Sequence, residues 1–268
     1  MSNKPTVAAV VPARMTSSRL PGKVMKTILG RPVLELMLER VRRTPGLDQI
    51  VVATPDTESS QPIWDLAGRM GLPVFKGSEQ DVLGRTVGAA QAFGADVIVD
   101  VASDCILCDP EIIQECIDTY LGGRFDYVSN ALVRTYPLGI DVQVYPTRVL
   151  AEVERETSDP LHREHVSLYI FQHPELYRLK NVAAPPELAA PHLSLVLDTP
   201  VDLEMVTAIY EGLYPADLRF SLRDVLAFLR QHPDIAAMNQ HIPRPHTVSR
   251  YFSEIKVPGS DMSTRAAQ

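Results

Sequence analysis

Three cationic side chains stand close together in the segment ARMTSSRLPGK, directly after the first apolar run of the chain. They are Arg14, Arg19 and Lys23, and hydroxyl side chains lie between them. Arginine and lysine bind phosphate oxygens through charge-assisted hydrogen bonds, and the N–H groups of a loop and of a following helix add further donors. The segment could therefore hold a polyphosphate, with an ordinary solvated basic loop as the alternative.

The segment matches neither of two common phosphate-binding motifs. RLPGKV contains Gly22 and Lys23, but no glycine stands five residues before Gly22, and Val24 replaces the serine or threonine of a P-loop. The three-glycine fingerprint of dinucleotide-binding proteins is missing as well. A phosphate site here must be of another type.

Two aspartates, Asp104 and Asp198, each follow an apolar run. Mg²⁺ is commonly held by one or two carboxylates, with water and phosphate oxygens completing the octahedron, so this pair could hold the metal that accompanies a polyphosphate. Each has a structural alternative: Asp104 as a turn or cap residue, and Asp198 as the strand exit before a helix capped by Thr199. Asp109 is better placed than Asp104 to cap the next helix.

The composition limits the partners of the chain. Its 268 residues are 45% hydrophobic, enough for a large core without disulfides, and the net charge is -7. A negative balance argues against nucleic acid and anionic membranes, which attract basic proteins, but not against a small polyanion bound together with a metal. An odd number of cysteines, no apolar run that could span a bilayer and no secretory signal favour a cytoplasmic location.

The elements that would position these residues alternate along the first half of the chain. Apolar, β-rich runs alternate with amphipathic stretches of helical length. The predicted strands are 6–13, 49–55, 73–77 and 96–103, and the predicted helices are 32–43, 60–70 and 80–94. This alternation predicts an α/β fold with a doubly wound, mainly parallel sheet, in which ligands bind beyond the carboxyl ends of the strands. The cationic loop and Asp104 lie at such ends.

The second half follows a different pattern. Residues 126–146 predict a strand, a turn and a strand, and we interpret 126–182 as an insertion into the α/β core. A strand at 193–198 is predicted to close the core. We predict a single domain over 1–242, followed by a polar, proline-containing tail at 243–268 that is expected to be mobile.

The cationic loop resembles the nucleotide-binding loop of the cytidylyltransferases that activate acidic sugars. The resemblance extends to further segments that follow in the family's order: VFKGSEQDVLGR, DPEIIQECI, DYVSNALVRTYPLGIDVQVY, REHVSLYI and LDTPVDLEMV. They are similar in particular to the spore-coat polysaccharide biosynthesis type, within the acylneuraminate and 3-deoxy-manno-octulosonate cytidylyltransferase superfamily. The similarity covers about residues 6–242.

This resemblance implies a nucleotidyltransferase with a nucleotide-diphospho-sugar transferase-like fold. Such an enzyme would transfer CMP from CTP to an acidic sugar or related acceptor, release pyrophosphate and serve surface glycan biosynthesis. The implied cofactor is Mg²⁺, held by Asp104 and Asp198, which match the family's GDCP-like and DTPEDLE-like segments. Arg14, Lys23 and Asp104 are the implied catalytic residues. The implied nucleotide-binding residues are Ala13, Arg14, Met15, Arg19, Lys23, Ser78 and Arg85, with Ser78 equally suited to cap the next helix.

The segment RTYPLGIDVQVY provides the candidates for the acceptor side: Arg134, Tyr136, Asp141 and Gln143. By strand alternation Asp141 and Gln143 share one face. This face could bind sugar hydroxyls, or it could be the solvent-exposed face of an antiparallel ribbon. A sugar carboxylate needs an arginine fork, for which Arg134 and Arg163 are the candidates, with His165 nearby.

The chain also departs from the family pattern. Ser103 and Ile106 replace the glycine and proline that usually flank the Asp104 position, Asp100 stands where relatives often carry a cation, and Gln143 replaces an acid. These changes leave the acceptor open between a 3-deoxy-ulosonic acid, a sugar phosphate and a phosphonate. A glycosyltransferase that uses a preformed nucleotide sugar and a non-catalytic nucleotide-binding homologue are the alternatives in function.

Three further expectations concern metals, redox chemistry and assembly. His162 and His165 are three residues apart in HREH, but the order of a zinc protease motif is missing, so no zinc site is expected. Cys105 and Cys108 have redox spacing without a redox-fold pattern and are predicted to be packing residues. The inserted ribbon resembles the family's dimerisation arm, which implies a homodimer.

Overall fold

The central feature of the structure, a computed structural model that describes residues 4–244, is a seven-stranded sheet. The strands of the described residues are β1 Val7–Pro12, β2 Thr27–Ile28, β3 Arg31–Pro32, β4 Gln49–Pro55, β5 Val74–Gly77, β6 Val97–Asp100, β7 Tyr127–Ser129, β8 Gln143–Pro146 and β9 Leu179–Asn181. The helices of the same residues are α1 Val33–Val41, α2 Gln61–Arg69, α3 Val82–Ala92, α4 Pro110–Gly122, α5 Thr147–Glu156, α6 Pro160–Glu164, α7 Leu168–Gln172, α8 Pro200–Leu213, α9 Leu222–Gln231 and α10 Pro233–Ala237.

The sheet has the strand order β5-β4-β1-β6-β8-β7-β9. β5, β4, β1 and β6 are parallel neighbours, and β9 is parallel to β7. β8 runs antiparallel to both of its neighbours. The predicted α/β class with a mainly parallel, doubly wound sheet is confirmed, and β2 and β3 form a separate small hairpin.

The alternation of side chains along β1 explains why its sequence is almost continuously apolar. Val7, Ala9 and Val11 belong to one core cluster, and Ala8 and Val10 belong to the other. All of them are fully buried because helices cover both faces of the sheet. Helices α1, α4, α8 and α9 contribute to the first cluster, whereas α3, α5 and α7 contribute to the second.

The predicted helix starts after Asp109 and Thr199 are confirmed. Asp109 accepts a hydrogen bond from the N–H of Glu111 at 2.9 Å and thereby caps α4. Thr199 and Asp202 form a capping box at the start of α8. These caps leave Asp104 and Asp198 free for other roles.

Two predictions for the second half of the chain are changed by the structure. Strands β7, β8 and β9 extend the central sheet itself, and residues 130–142 form a loop between β7 and β8 rather than a turn. The predicted strand at 193–198 is wrong. The segment makes one bridge, Leu138 to Ser194, and its backbone lies against Gly139, where an added Cβ would stand 2.4 Å from the nitrogen of Val196.

The start of the predicted mobile tail is held in place. Arg244, its second residue, is paired with the fully buried carboxylate of Asp202. The remaining residues of the tail lie outside the described part of the chain. Within that part, no helix combines the length and the apolarity needed to cross a bilayer.

Candidate active site

A cavity of about 440 Å³ opens at the carboxyl ends of β1 and β6. Ten of the fifteen residues predicted for the site line it: Ala13, Arg14, Arg19, Lys23, Arg85, Asp104, Asp141, Gln143, His165 and Asp198. The topology explains this convergence, because parallel strands that are neighbours in the sheet end at the same edge.

Lys23 is placed by a tight loop that follows β1. Gly22 has a φ of 66°, in the left-handed region that favours glycine, and its N–H donates to the carbonyl of Met15 at 2.8 Å. A 3-10 turn over Lys23–Met25 follows directly. The loop thereby folds back on itself and brings its last cation into the cavity.

The ammonium group of Lys23 lies between the two predicted metal ligands. Its Nζ is 2.8 Å from Oδ2 of Asp104 and 3.0 Å from Oδ1 of Asp198, and it also donates to the carbonyl of Leu197 at 3.0 Å. Burial lowers the pKa of Lys23, but the Asp104 and Asp198 carboxylates outweigh it and raise the pKa above its ordinary value. Lys23 is therefore a permanent cation in contact with two acids that are 81 and 175 residues away along the chain.

The other two cations of the loop face the same cavity. Arg19 forms an ion pair with the second oxygen of Asp198, and Arg14 lies 3.6 Å from the carboxylate of Glu164. The side chains of Arg14 and Arg19 are 41% and 47% exposed, so both remain accessible to a ligand in the cavity. The predicted cluster of positive charge is present.

The two aspartates are connected through the backbone around them. The carbonyl of Asp104 accepts from the N–H of Leu197 at 3.0 Å, and the N–H of Asp198 donates to Asp202 at 3.1 Å. Asp202 in turn accepts from Asn239 and from Arg244, each at 2.8 Å. The segment that carries Asp198 is thus fixed both to the Asp104 loop and to the start of α8.

The donor set fits a hard divalent cation. Asp104 and Asp198 direct one oxygen each at a single point, the Nζ of Lys23, and Mg²⁺ needs only one or two protein carboxylates when phosphate oxygens and water supply the remainder. A cluster of three or more histidine, cysteine, aspartate or glutamate side chains, as an all-protein metal cage would need, is absent from residues 4–244.

Arg85 lies at the wall of the cavity and is nearly buried. It donates to the carbonyls of Ser78 and Glu79, and burial together with the nearby Arg14 lowers its pKa to about 10. Ser78 does not line the cavity, and Asp81 rather than Ser78 is the residue that caps α3. The Ser78 hydroxyl accepts from the N–H of Asp81 at 3.2 Å, so it shapes the turn before the helix.

The acceptor-side candidates divide into two groups. Asp141, Gln143 and His165 line the cavity, and burial lowers the pKa of His165. The predicted residues that do not line it are Met15, Ser78, Arg134, Tyr136 and Arg163. Met15 packs against the main core cluster, and its terminal carbon lies beside Gly22.

Both predicted carboxylate-binding arginines are engaged elsewhere. Arg134 forms a bidentate pair with Asp141, with N···O distances of 2.8 and 3.0 Å. Arg163 pairs with Asp81 at 2.8 Å and donates to the carbonyl of Glu154. The structure therefore does not place either guanidinium as a free fork in the cavity.

Tyr136 is also placed away from the predicted acceptor site. Its side chain is 1% exposed and belongs to the main core cluster, and it borders a second, smaller cavity beside α4. The alternation of a strand could not place it, because residues 130–142 are not a strand.

The cavity also contains polar residues that sequence reasoning did not assign to the site, among them Asp100, Glu164 and Ser167. Asp100 departs from the family pattern, and an acid at the end of an apolar strand is itself a signal. Glu164, the last residue of α6, and Ser167, in the turn before α7, gave no such signal, because neither stands at the end of a strand.

The side chains of HREH and CILC are engaged in hydrogen bonds and in core packing. Nδ1 of His162 lies 2.8 Å from the hydroxyl of Thr157, and its Nε2 lies 2.9 Å from Gln172, so neither nitrogen is directed at His165. Cys105 and Cys108 are buried free thiols within the core cluster. Burial raises the pKa of the Cys108 thiol to about 12, which keeps it unreactive.

Comparisons with known proteins cover most of the chain. Residues 8–221 match the model of the cytidylyltransferase family. The chain is 33% identical over 236 residues to the spore coat polysaccharide biosynthesis protein SpsF of Bacillus subtilis, a match that covers 85% of this chain and 95% of that protein. It is 29% identical over 210 residues to the 3-deoxy-manno-octulosonate cytidylyltransferase of Anaeromyxobacter sp., with 77% of this chain and 78% of that protein covered.

A solved structure extends the likeness to the fold. The cytidylyltransferase from Leptospira borgpetersenii superposes with a TM-score of 0.84 at 27% identity, over 90% of this chain and all of that one. The family match covers most of β1, all of β6 and the start of α8, the elements next to Lys23, Asp104 and Asp198. The chain therefore belongs to the cytidylyltransferase family of nucleotidyltransferases, enzymes that transfer CMP from CTP.

Proposed function

We propose that this enzyme transfers CMP from CTP to a small acceptor that carries an acidic group, such as a sugar acid, a sugar phosphate or a phosphonate, and releases pyrophosphate. The observation that carries the proposal is the position of Lys23 between Asp104 and Asp198, with Arg14 and Arg19 at the same cavity. This arrangement supplies fixed positive charge beside two metal-binding carboxylates, as a departing pyrophosphate requires.

The chemistry asks the protein mainly for alignment and charge. Arg14, Arg19 and Lys23 would hold the β- and γ-phosphates, so that an acceptor oxygen can approach the α-phosphorus opposite the leaving pyrophosphate. The raised pKa of Lys23 keeps its charge in place throughout the usual pH range. No protein nucleophile is needed, because the acceptor oxygen itself attacks.

Asp104 and Asp198 would hold Mg²⁺. When bound, the metal supplies neutralisation of the charge on the phosphate oxygens. Since Nζ of Lys23 now bonds both carboxylates, a cation on them would replace part of those bonds and leave Lys23 available to a phosphate oxygen. Lys23 would thus neutralise Asp104 and Asp198 without a metal, and would bind a phosphate oxygen when the metal is present.

Two relatives support a proposal for the biological setting. SpsF is a spore coat polysaccharide biosynthesis protein, and the Anaeromyxobacter relative is a cytidylyltransferase for 3-deoxy-manno-octulosonate. We propose a role in the biosynthesis of a surface glycan. The expected homodimer stays a prediction, and sedimentation of the purified chain against its 29.7 kDa monomer mass tests it.

The test is the release of pyrophosphate from each of the four nucleoside triphosphates, with Mg²⁺ and a panel of acidic acceptors. The proposal expects release with CTP that depends on an acceptor and yields a CMP-linked product. Release of nucleotide from a preformed nucleotide sugar, with no reaction of CTP, would instead identify a glycosyltransferase. Binding of CTP without turnover of any acceptor would identify a non-catalytic homologue.

A further inference from the structure

Asp100 is a buried acid at the floor of the cavity. It is the last residue of β6, its side chain is 7% exposed, and it lines the cavity together with Gln143. Asp100 and Gln143 stand directly opposite each other in the antiparallel β6–β8 pair, so their side chains are neighbours on one face of the sheet.

The carboxylate of Asp100 has only one hydrogen-bond donor among the described residues. The hydroxyl of Tyr145 donates to Oδ2 at 2.9 Å, and Oδ1 has no partner there. Tyr145 is itself fixed, because its ring stacks on that of Tyr127 with centroids 5.9 Å apart. The carboxylate is therefore held in one orientation with one oxygen left for a ligand.

Asp100 differs in charge pairing from every other acid that lines the cavity. Asp104 and Asp198 pair with Lys23, Asp141 pairs with Arg134, and Glu164 pairs with Arg14. Within residues 4–244 no lysine, arginine or histidine nitrogen lies within 4.0 Å of the Asp100 carboxylate. A buried acid without a cation is costly, since no opposite charge compensates for the hydration that it loses.

Gln143 adds a donor beside this acid. Its Oε1 accepts from the hydroxyl of Tyr127 at 2.8 Å and from the hydroxyl of Ser167. With its oxygen occupied in this way, the amide NH₂ of Gln143 is the group left for the cavity. The floor therefore offers an unpaired carboxylate oxygen next to an amide donor.

The cavity lacks the complementary feature that a sugar carboxylate would need. Both terminal nitrogens of Arg134 donate to the carboxylate of Asp141. Arg163, which does not line the cavity, pairs with Asp81 and donates to the carbonyl of Glu154. The cations that line the cavity are Arg14, Arg19 and Lys23 of the cationic loop, and Arg85. A second carboxylate beside Asp100 would meet a like charge.

We propose that Asp100 binds a protonated amine of the acceptor, so that the substrate is an amino-bearing phosphate or phosphonate rather than an amine-free sugar acid. The proposal rests on the proposed transfer of CMP and assigns the specificity of the same cavity. An ammonium group supplies both a donor for Oδ1 and the missing positive charge, whereas a neutral hydroxyl supplies only the donor. An oxygen of the acceptor next to its amine would accept from Gln143.

The experiment compares acceptors that differ only in the amine. Pyrophosphate release from CTP is measured with 2-aminoethylphosphonate against propylphosphonate, with glucosamine 1-phosphate against glucose 1-phosphate, and with 3-deoxy-manno-octulosonate as an amine-free acid. We expect kcat/KM for the amine member of at least one pair to exceed that of its partner by about 10-fold or more. In Asp100→Asn this preference should shrink to below about 3-fold, chiefly through KM for the amine acceptor.

The matched control is Glu164→Gln, the same chemical change at a cavity acid that already faces a cation. It should retain the amine preference of the wild type. Equal or faster turnover of the amine-free members, or a preference that survives in Asp100→Asn, would overturn the proposal while leaving CMP transfer intact.

Calorimetry separates this proposal from the proposed function. The two amine acceptors are titrated into wild type and Asp100→Asn, each loaded with Mg²⁺ and the non-transferable α,β-methylene analogue of CTP. Binding that is about 10-fold weaker in the variant supports the amine site even if no acceptor is turned over, a result that would reject only the transfer. Absence of amine binding to the wild type rejects the amine site.

Discussion

Replacing Asp100 by asparagine should stabilise the protein at neutral and alkaline pH. Burial raises the pKa of Asp100 from 3.8 to about 6, and the hydrogen bond from Tyr145 offsets only part of this effect. The fold therefore bears the cost of a desolvated charge whenever Asp100 is ionised. Asparagine has nearly the same shape, keeps an oxygen for the Tyr145 hydroxyl and removes the charge.

The magnitude and sign follow from proton linkage. A pKa that rises from 3.8 to about 6 on folding corresponds to about 3 kcal/mol of unfolding free energy. Because the folded state binds this proton more tightly, the wild type keeps its full stability below about pH 4 and loses this contribution as the pH rises through about 6. Asp100→Asn should therefore exceed the wild type by up to about 3 kcal/mol near pH 8 and by less than about 1 kcal/mol near pH 4.

Urea unfolding of both proteins between about pH 4 and pH 8 measures this difference directly. Asp56→Asn is the control, because Asp56 is exposed and a surface change of this kind should shift the unfolding free energy by less than about 0.5 kcal/mol. A stability difference between Asp100→Asn and the wild type that is independent of pH, or a variant that is less stable near pH 8, would refute the reasoning.

Three further outcomes are expected. Asp104→Ala should lower the rate of pyrophosphate release by about 100-fold or more with an unchanged circular dichroism spectrum, and near-normal turnover would contradict its placement at the phosphates. Removal of divalent cations with a chelator should abolish release and added Mg²⁺ should restore it, so activity that persists in excess chelator would argue against a metal on Asp104 and Asp198. Asp202→Asn should lower the free energy of unfolding by about 3–5 kcal/mol in urea titrations, because it leaves the buried guanidinium of Arg244 without its carboxylate, and a loss below about 1 kcal/mol would show that this pair does not hold the end of the described chain.

The parallel half of the fold could be predicted from local pattern alone. Each strand of this half is a short run that is followed by a helix, and the alternation along β1 shows why both faces must be buried. The segment 193–198 looked the same and is not a strand. Leu193, Leu195 and Leu197 are buried, but their backbone lies across Gly139 instead of along a strand edge, and periodicity reports burial rather than pairing.

The sequence predicts which residues of the site are chemically active, but not how they pair with one another. The cationic loop and the two aspartates can be identified by residue type, by their position at strand ends and by the family resemblance, and the structure brings Lys23, Asp104 and Asp198 into contact. What the sequence could not provide is which charge pairs with which. Arg134 was expected to be free for a ligand, and its bidentate pair with Asp141 depends on how the loop 130–142 folds back, which no local pattern specifies.

The affinity for CTP relative to CMP tests the central claim most directly. If Lys23 and its neighbouring arginines hold the triphosphate tail, calorimetry with Mg²⁺ should show that the wild type binds CTP more tightly than CMP. Lys23→Ala should then weaken CTP by about 10- to 100-fold, the loss expected for one charge-assisted contact, and change CMP by less than about 3-fold. Equal losses for CTP and CMP, or unchanged binding of CTP, would contradict the assignment of this loop to the triphosphate.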